Sequence, residues 1–226
     1  MAPEWLRLKA RIEQSVTLRC EPLELGGQQV QWYRVTDGER LLATAVQGKR
    51  SPDELDPFWA ATWRAAQGLD RFLSRYDLND TRVLELGCGS GQAGVGAALR
   101  GARVTMTDAV GIALLVARLN AWSVNERVHI RRLKWDAPAL DEPQFSRIIG
   151  SDLVYDPSLF ALLERCARLH LSPGGRLFLS EPHRHTGDHF AQWIVQAGWQ
   201  TVEHDVDLAD GRVPIRVFEC ALETNA

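Results

Sequence analysis

The sequence has 226 residues, of which 45% are hydrophobic. That proportion is ample for one compact domain with a modest extension, and it argues against a disordered chain. The formal net charge of −3 leaves no basic surplus for gripping a phosphate backbone, so the composition argues against nucleic acid as a partner.

Cysteine usage and hydropathy indicate the compartment. The four cysteines are scattered, with no CxxC pair and no histidine at the spacing of a metal-ligand set. No window approaches the ~20 apolar residues of a membrane span, and the first residues contain no unbroken apolar run. The sequence therefore predicts a cytoplasmic protein with reduced thiols, no metal site and no membrane partner.

The first predicted elements are short strands. Apolar and polar residues alternate over 16–20 and again over 29–33, and Gly26 and Gly27 mark a turn between the two runs. This pattern is typical of a small β structure. We therefore assign residues 1–50 to a β-rich extension.

The main domain is predicted to cover residues 51–226. It opens with a helix that begins at Asp56-Pro57, where proline suits the first turn, and continues to about Leu73. Apolar residues recur along this helix at helical spacing. That spacing should bring Trp59 and Trp63 against the rest of the domain.

Beyond Asp80, strand-like apolar runs alternate with helical stretches. Repeated βα units predict a doubly wound, Rossmann-like α/β fold, in which a mainly parallel sheet of seven strands is covered by helices on both faces. Ligands of such sheets bind beyond the carboxyl ends of the strands, so the residues that follow each strand are the first candidates for a site. The predicted strands are 82–86, 103–107, 128–130, 147–149, 176–179, 200–202 and 214–218, and the predicted helices begin near residues 92, 110, 157 and 188.

The strongest local signal is the segment VLELGCGSG at 83–91, in which a strand leads into glycines at alternate positions and then a helix. Glycine lets the backbone approach a ligand closely. A dinucleotide-binding loop would read GxGxxG, whereas Gln92 stands at the final position and Glu85 lies within the motif. ExGxGxG favours S-adenosylmethionine (SAM), with loop amides and the helix N-terminus holding the methionine carboxylate and Glu85 near the amine. The cofactor-binding residues predicted in this segment are Glu85, Gly87, Cys88, Gly89 and Gly91.

Further positions complete the predicted cofactor site. Asp108 follows the next strand and could accept hydrogen bonds from both ribose hydroxyls. Trp135 and Asp136 follow the third strand of the main domain, where an adenine ring needs an apolar flank and an edge contact. Ser151 follows the fourth strand at the same edge of the sheet. With the glycine loop, these positions predict SAM as the cofactor.

Acidic and aromatic residues mark the predicted acceptor side. Methyl transfer from a sulfonium is an in-line displacement, so the protein must align a nucleophile and exclude water. Asp152 could orient an incoming ammonium, and Tyr155 could supply a hydrogen bond or a ring face for a cationic nitrogen. We predict Asp152 and Tyr155 as catalytic residues, and Trp59, Glu181 and His183 as substrate-binding residues.

Five segments carry a resemblance to a known family, namely DPFWAATW at 56–63, QGL at 67–69, VLELGCGSG at 83–91, DLVYD at 152–156 and EPHR at 181–184. On these segments the chain resembles the seven-strand protein-lysine methyltransferases, most of all those that act on the β-subunit of the electron-transfer flavoprotein. The resemblance implies that Asp152 and Tyr155 form the family's acid-x-x-aromatic motif, and that Trp63 lies near the bound SAM. Arg64, Glu181 and His183 depart from the family pattern at positions where a protein substrate would be recognised.

The leading hypothesis is a SAM-dependent methyltransferase that modifies a lysine side chain of a folded protein, with the amino-terminal strands helping to dock that partner. The absence of a long insertion after the fourth or fifth strand favours an open site and a protein substrate. A small-molecule methyltransferase is the first alternative, because fold and cofactor site do not fix the acceptor. A SAM-binding interaction protein without catalysis is another. A histidine or arginine acceptor also stays open.

Overall fold

A computed structural model describes residues 3–38, 57–137 and 140–222 of the chain. Within these ranges two strands form an amino-terminal antiparallel hairpin, β1 (Leu18–Leu25) and β2 (Gln28–Val35). The large sheet is built from β3 (Arg82–Glu85), β4 (Arg103–Asp108), β5 (Val128–Arg132), β6 (Phe145–Ser151), β7 (Leu171–Glu181), β8 (Trp199–Val206) and β9 (Ile215–Leu222). The α-helices are α1 (Glu4–Glu13), α2 (Arg64–Leu73), α3 (Gln92–Leu99), α4 (Gly111–Asn120), α5 (Phe160–His170) and α6 (His185–Gln196).

The predicted seven-strand α/β sheet is confirmed. Over the described residues its strand order is β5-β4-β3-β6-β7-β9-β8, with β9 antiparallel to both of its neighbours and the other pairs parallel. Helices α2 and α3 pack on one face, and α5 and α6 pack on the other. Because both faces are covered, the central strand β3 is apolar on both sides, with Val83 and Leu84 buried. None of the described helices has the length and apolar character needed to cross a membrane.

The amino-terminal segment contains a helix that the sequence analysis missed. Helix α1 precedes the hairpin, and its residue Ile12 is completely buried. Trp5, Leu8 and Ile12 recur at the spacing of one helix face, which was the available signal. Charged residues between them obscured that spacing. The predicted boundary at residue 50 lies outside the described residues.

The hairpin is joined to the main core. Leu25 and Trp32 are 0% and 1% exposed, in one cluster with residues of α2 and α3. The side chain of Asn120, at the end of α4, bonds to both the amide and the carbonyl of Tyr33 at 2.9 and 3.1 Å. Its Nδ2 also donates to the carbonyl of Ser90 in the glycine loop at 3.1 Å. The hairpin therefore supports the loop that follows β3.

The predicted continuous helix from Asp56-Pro57 to Leu73 is wrong. Residues Pro57–Ala60 form a single 3₁₀ turn, and α2 begins only at Arg64. Between them the backbone is extended at Trp63, with φ −92° and ψ 133°. The indole Nε1 of Trp63 donates to the carbonyl of Phe58 at 3.0 Å, which folds this segment back on itself. Because the helix is interrupted here, the side chains of Phe58, Trp59 and Trp63 do not follow the spacing of one helix face.

Candidate active site

A cavity of about 480 Å³ lies at the carboxyl ends of the parallel strands. Its walls are the loops that follow β3, β4, β5 and β6, the segment around Trp63, and Arg184 after β7. The predicted residues that line it are Trp59, Trp63, Gly87, Cys88, Gly89, Asp108, Trp135, Asp136, Ser151, Asp152 and Tyr155. The predicted residues outside its lining are Glu85, Gly91, Glu181 and His183. One cavity thus joins the predicted cofactor and acceptor residues.

The glycine loop owes its shape to left-handed backbone. Gly87, Gly89 and Gly91 have φ values of +58°, +52° and +90°, which side chains other than glycine rarely adopt. A Cβ on Gly89 would also lie 3.1 Å from the carbonyl oxygen of Trp59. The sequence therefore requires glycine here for both conformation and space. The result is a cradle lined by backbone.

Asp108 holds the glycine loop from the next strand. Its Oδ2 accepts a hydrogen bond from the amide of Gly89 at 2.9 Å, and its Oδ1 accepts one from the amide of Val110 at 2.8 Å. The residue is 9% exposed and lines the cavity. A carboxylate has about four acceptor positions, so holding the loop is compatible with accepting further donors from a ligand. Asp108 thereby links the shape of the loop to the wall of the cavity.

Gln92, the first residue of α3, lines the cavity and was missed as a site residue. Its buried Nε2 has no hydrogen-bond partner among the described residues. Leaving a buried donor unpaired costs about 1–3 kcal/mol, and the position of Gln92 in the cavity lining makes its amide a candidate donor to a ligand. An amide donor beside a glycine cradle and the carboxylate of Asp108 fits SAM, which carries a carboxylate and a ribose diol. The sequence signal for Gln92 was its position directly after Gly91, the last glycine of the loop.

The expected contact between Glu85 and the cofactor needs correction. Glu85 is 1% exposed and lies beneath the loop, with Oε2 so close to Gly94 that an added Cβ would stand 2.2 Å away. Burial raises the pKa of this carboxyl to about 8. Gly91 also faces the core, because a Cβ added to it would lie 2.3 Å from Cε of Met106. Both residues shape the loop from below and do not line the cavity.

Cys88 lies between two of the loop glycines and lines the cavity. It is 7% exposed, and its backbone amide donates to the carbonyl of Thr107 at 2.8 Å. Burial, with the nearby carboxyls as a smaller influence, raises the pKa of this thiol well above its ordinary value. The thiol is therefore protonated at neutral pH and serves as a small apolar wall.

Asp152 lines the cavity directly after β6, and we call the part of the cavity lined by Asp152 and Tyr155 the predicted acceptor end. Its backbone has φ +55°, and its amide donates to the carbonyl of Ser180 at 2.7 Å. The carboxylate receives two hydrogen bonds from Arg184, from Nε to Oδ1 at 3.1 Å and from Nη2 to Oδ2 at 2.7 Å. These bonds raise the pKa of Arg184 above its ordinary value. A left-handed backbone at a residue other than glycine is a form of strain that clusters at functional sites.

Aromatic rings surround the acceptor end. The ring of Phe58 lies edge-on to Tyr155 with centroids 5.9 Å apart, and 6.3 Å from the ring of Trp63. The guanidinium carbon of Arg184 stands over Trp63, 5.8 Å from the ring centroid. Phe58 is 49% exposed, so this aromatic group lies at the mouth of the cavity. We call Phe58, Trp63 and Tyr155 the aromatic rim.

The predicted substrate contacts of Glu181 and His183 also need correction. Glu181 is completely buried, and its Oε1 accepts a hydrogen bond from Nε of Arg216 at 2.6 Å. His183 has φ +54°, and its Nε2 lies 2.9 Å from Oδ1 of Asp205. Their side chains are therefore engaged with the scaffold, away from the cavity. The residue of this loop that lines the cavity is Arg184.

The fold and the cavity define a SAM-dependent methyltransferase. The chain superimposes on the glycopeptide N-methyltransferase MtfA in complex with SAM with a TM-score of 0.63 at 17% identity, covering 70% of this chain and 94% of that one. It also superimposes on the ribosomal protein L11 methylase from Lactobacillus delbrueckii subsp. bulgaricus with a TM-score of 0.59 at 18% identity, covering 73% of this chain and 81% of that one. At these identities the likeness concerns the fold.

A family model described as "Lysine methyltransferase" matches residues 56–195, which is more than half of the chain. The chain therefore belongs to the lysine methyltransferase family, and SAM is its cofactor. The chain is also 34% identical over 168 residues to a ubiquinone biosynthesis O-methyltransferase of Xanthomonas oryzae pv. oryzae (strain PXO99A), covering 67% of this chain and 70% of that relative. The narrower resemblance to the methyltransferases of the electron-transfer flavoprotein stays a prediction.

Proposed function

We propose that the protein transfers a methyl group from SAM to the side-chain nitrogen of a lysine on a protein substrate. The observation that carries this proposal is the placement of a buried carboxylate, Asp152, and an aromatic ring, Tyr155, in the same cavity as Asp108. A carboxylate suits a nitrogen acceptor because it can orient an ammonium or an amine N–H. The match to the lysine methyltransferase family supports the same acceptor.

The cofactor end of the cavity has residues suited to each part of SAM. The glycine loop and Gln92 supply donors for the methionine carboxylate, and Asp108 supplies acceptors for the ribose hydroxyls. Trp135 and Leu133 flank the space that follows β5, where we assign the adenine. When bound, SAM supplies a methyl group on a positively charged sulfur.

The acceptor end aligns the nucleophile and lowers its contact with water. Asp152 directs the nitrogen, and the aromatic rim surrounds the chain that carries it. A lysine nitrogen must be deprotonated to attack, although its ordinary pKa is ~10.4, and its removal from water inside the cavity favours the neutral form. The exposed edge of Phe58 leaves the mouth open to solvent, where the proton can leave.

A small hydroxylated molecule is the second candidate acceptor. The ubiquinone biosynthesis relative supports it, since its name states O-methylation. A protein that binds SAM without catalysis is disfavoured by membership of an enzyme family.

Labelling of a lysate tests the proposed function. Purified protein is incubated with radiolabelled SAM and a lysate that lacks this enzyme, and labelled proteins and small molecules are separated. We expect a discrete labelled protein that is lost with Asp152→Ala and retained with Asp80→Asn, an exposed aspartate outside the cavity lining. Label confined to small molecules would support the second candidate instead.

A further inference from the structure

Arg184 already donates hydrogen bonds to Asp152, the carboxylate that the proposed function assigns to the acceptor nitrogen. The guanidinium makes a two-pronged pair with Asp152, and its carbon stands over the ring of Trp63. A bidentate arginine–carboxylate pair is among the stronger hydrogen-bonded contacts in proteins. An acceptor nitrogen that uses Asp152 must therefore displace this side chain or share the carboxylate with it.

The backbone of Arg184 is fixed while its side chain reaches the cavity. Its amide donates to Oε2 of Glu181 at 2.5 Å, and its carbonyl accepts a hydrogen bond from Nη2 of Arg216 at 3.3 Å. Neighbouring His183 is held by Asp205. Because the loop is held on both sides, a change in the position of Arg184 is confined to rotation of its long side chain.

Comparison with a neighbouring ion pair shows that Arg184 is accessible to water. The side chains of Arg216 and Glu181 are 6% and 0% exposed, so neither partner can leave without stranding a buried charge. The side chain of Arg184 is 39% exposed, whereas that of Asp152 is 4% exposed. Arg184 can therefore turn its guanidinium into water, but Asp152 must stay and needs another cation or donor in its place.

From this asymmetry we infer that Arg184 is a displaceable counter-ion that sets the specificity for the acceptor. It pairs with Asp152 until a nitrogen that can donate to the same carboxylate replaces it. Such an exchange keeps one positive partner beside the buried carboxylate. A hydroxyl acceptor has no charge to offer in exchange and leaves the arginine in place, so the device favours amines. The inference rests on the proposed lysine acceptor.

Sinefungin provides a probe that needs no knowledge of the substrate. It is an analogue of SAM in which a carbon that bears a primary amine replaces the sulfur and its methyl group, whereas S-adenosylhomocysteine (SAH) keeps the sulfur and has no methyl group. Both ligands share the adenosine and the amino-acid end, so a change in the ratio of their affinities between the wild type and a variant reports on the surroundings of the amine. The charged groups that line the same cavity are Asp108, Lys134, Asp136, Asp152 and Arg184.

The experiment measures the dissociation constants of sinefungin and SAH by calorimetry, at one pH and one salt concentration, for the wild type and a set of variants. With Arg184→Ala we expect the preference for sinefungin over SAH to rise about 10-fold, because the amine gains an unpaired carboxylate at Asp152. Arg184→Lys, which keeps a cation but loses the two-pronged pair, should give a smaller rise. The control Arg103→Ala removes an exposed arginine from outside the cavity lining and should leave the ratio unchanged.

A double variant separates exchange at Asp152 from simple repulsion. In the Asp152→Asn background, the further change Arg184→Ala should leave the ratio nearly constant, because the carboxylate for which the two cations compete is gone. An equal rise in both backgrounds would overturn the inference, and so would an unchanged or lower ratio with Arg184→Ala in the wild-type background. Binding of SAH by each variant reports that it is folded.

The two proposals fail in different experiments. If lysate labelling yields labelled small molecules and no labelled lysine, the proposed function fails whatever the ratio of affinities. If a labelled lysine is found but Arg184→Ala leaves the ratio unchanged, the role of Arg184 fails alone.

Discussion

The two ends of the cavity are built in different ways. At the cofactor end, backbone conformation and scaffold hydrogen bonds set the geometry, as in the contact between the amide of Gly89 and Asp108. At the acceptor end, long side chains set it, through the pair of Asp152 with Arg184 and the half-exposed ring of Phe58. A backbone cradle has few alternative states, whereas side chains at a mouth can rearrange or be exchanged. We therefore expect substitutions at one end of the cavity to leave the properties of the other end largely unchanged.

The comparisons with other proteins follow the same division. Structures that resemble this chain include a glycopeptide N-methyltransferase and a ribosomal protein L11 methylase, and a sequence relative is a ubiquinone biosynthesis O-methyltransferase. Their names share methyl transfer and differ in the acceptor. Variation of loops and side chains on a common scaffold accounts for such a spread.

The largest expected effect is on catalysis, from a substitution at Asp152. Asp152→Ala should lower kcat/KM on the identified substrate about 1000-fold, because the acceptor loses its orienting carboxylate. The affinity for SAM should change by less than about 3-fold, since the glycine loop and Asp108 are untouched. Steady-state kinetics and calorimetry measure the two quantities. Full turnover by this variant would rule out Asp152 as the acceptor group.

At Asp108 we expect a large effect on the affinity for SAM. Asp108→Ala removes the acceptor for the amides of Gly89 and Val110 as well as the proposed ribose contact. We expect the dissociation constant for SAM to rise about 100-fold, from the loss of charge-assisted hydrogen bonds. Calorimetry measures it, with Asp80→Asn as the control. A change of less than about 3-fold would show that the nucleoside is held elsewhere.

An effect on stability is expected from Glu85 beneath the glycine loop. Burial raises the pKa of Glu85 from 4.5 to about 8, so between these values the folded state keeps a proton that the unfolded chain releases. This contribution to stability is fully present below about pH 4.5, falls as the pH rises, and is lost above about pH 8. Relative to Glu85→Gln, the wild type should lose about 3 kcal/mol between pH 5 and pH 8.

Urea unfolding of both proteins across that pH range measures the difference. Comparison with Glu85→Gln cancels the titration of the other groups, because those groups are common to both proteins. A difference between the two proteins that stays constant with pH would contradict the assignment of a protonated, buried Glu85.

The smallest effect is expected at Asn120, which joins the hairpin to the cofactor end. Asn120→Ala removes the bonds to Tyr33 and Ser90 and should lower the free energy of unfolding by about 1–2 kcal/mol. The affinity for SAM should fall only about 3-fold, because the loop glycines and Asp108 remain. Chemical unfolding and calorimetry measure the two changes. A rise in KM for the acceptor at unchanged SAM affinity would instead indicate that the hairpin supports the acceptor end.

Local patterns predicted the glycine loop well, since it is encoded within the nine residues from Val83 to Gly91. Contacts between distant residues were not predictable in the same way. Arg184 lies 32 residues from Asp152, and only the packing of the loops after β6 and β7 reveals the pair. Glu181 was misassigned because its place at a strand end did not show that its side chain turns inward to Arg216. Proximity in sequence to a site does not fix the direction of a side chain.

The most direct test of the lysine acceptor is the chemical form of the transferred methyl group. Protein labelled in a lysate with radiolabelled SAM is isolated, hydrolysed completely in acid and separated by amino-acid chromatography. We expect the label to elute as methylated lysine, and Asp152→Ala to abolish it. Label recovered only in solvent-extractable small molecules, or as an O-methyl compound, would contradict the account.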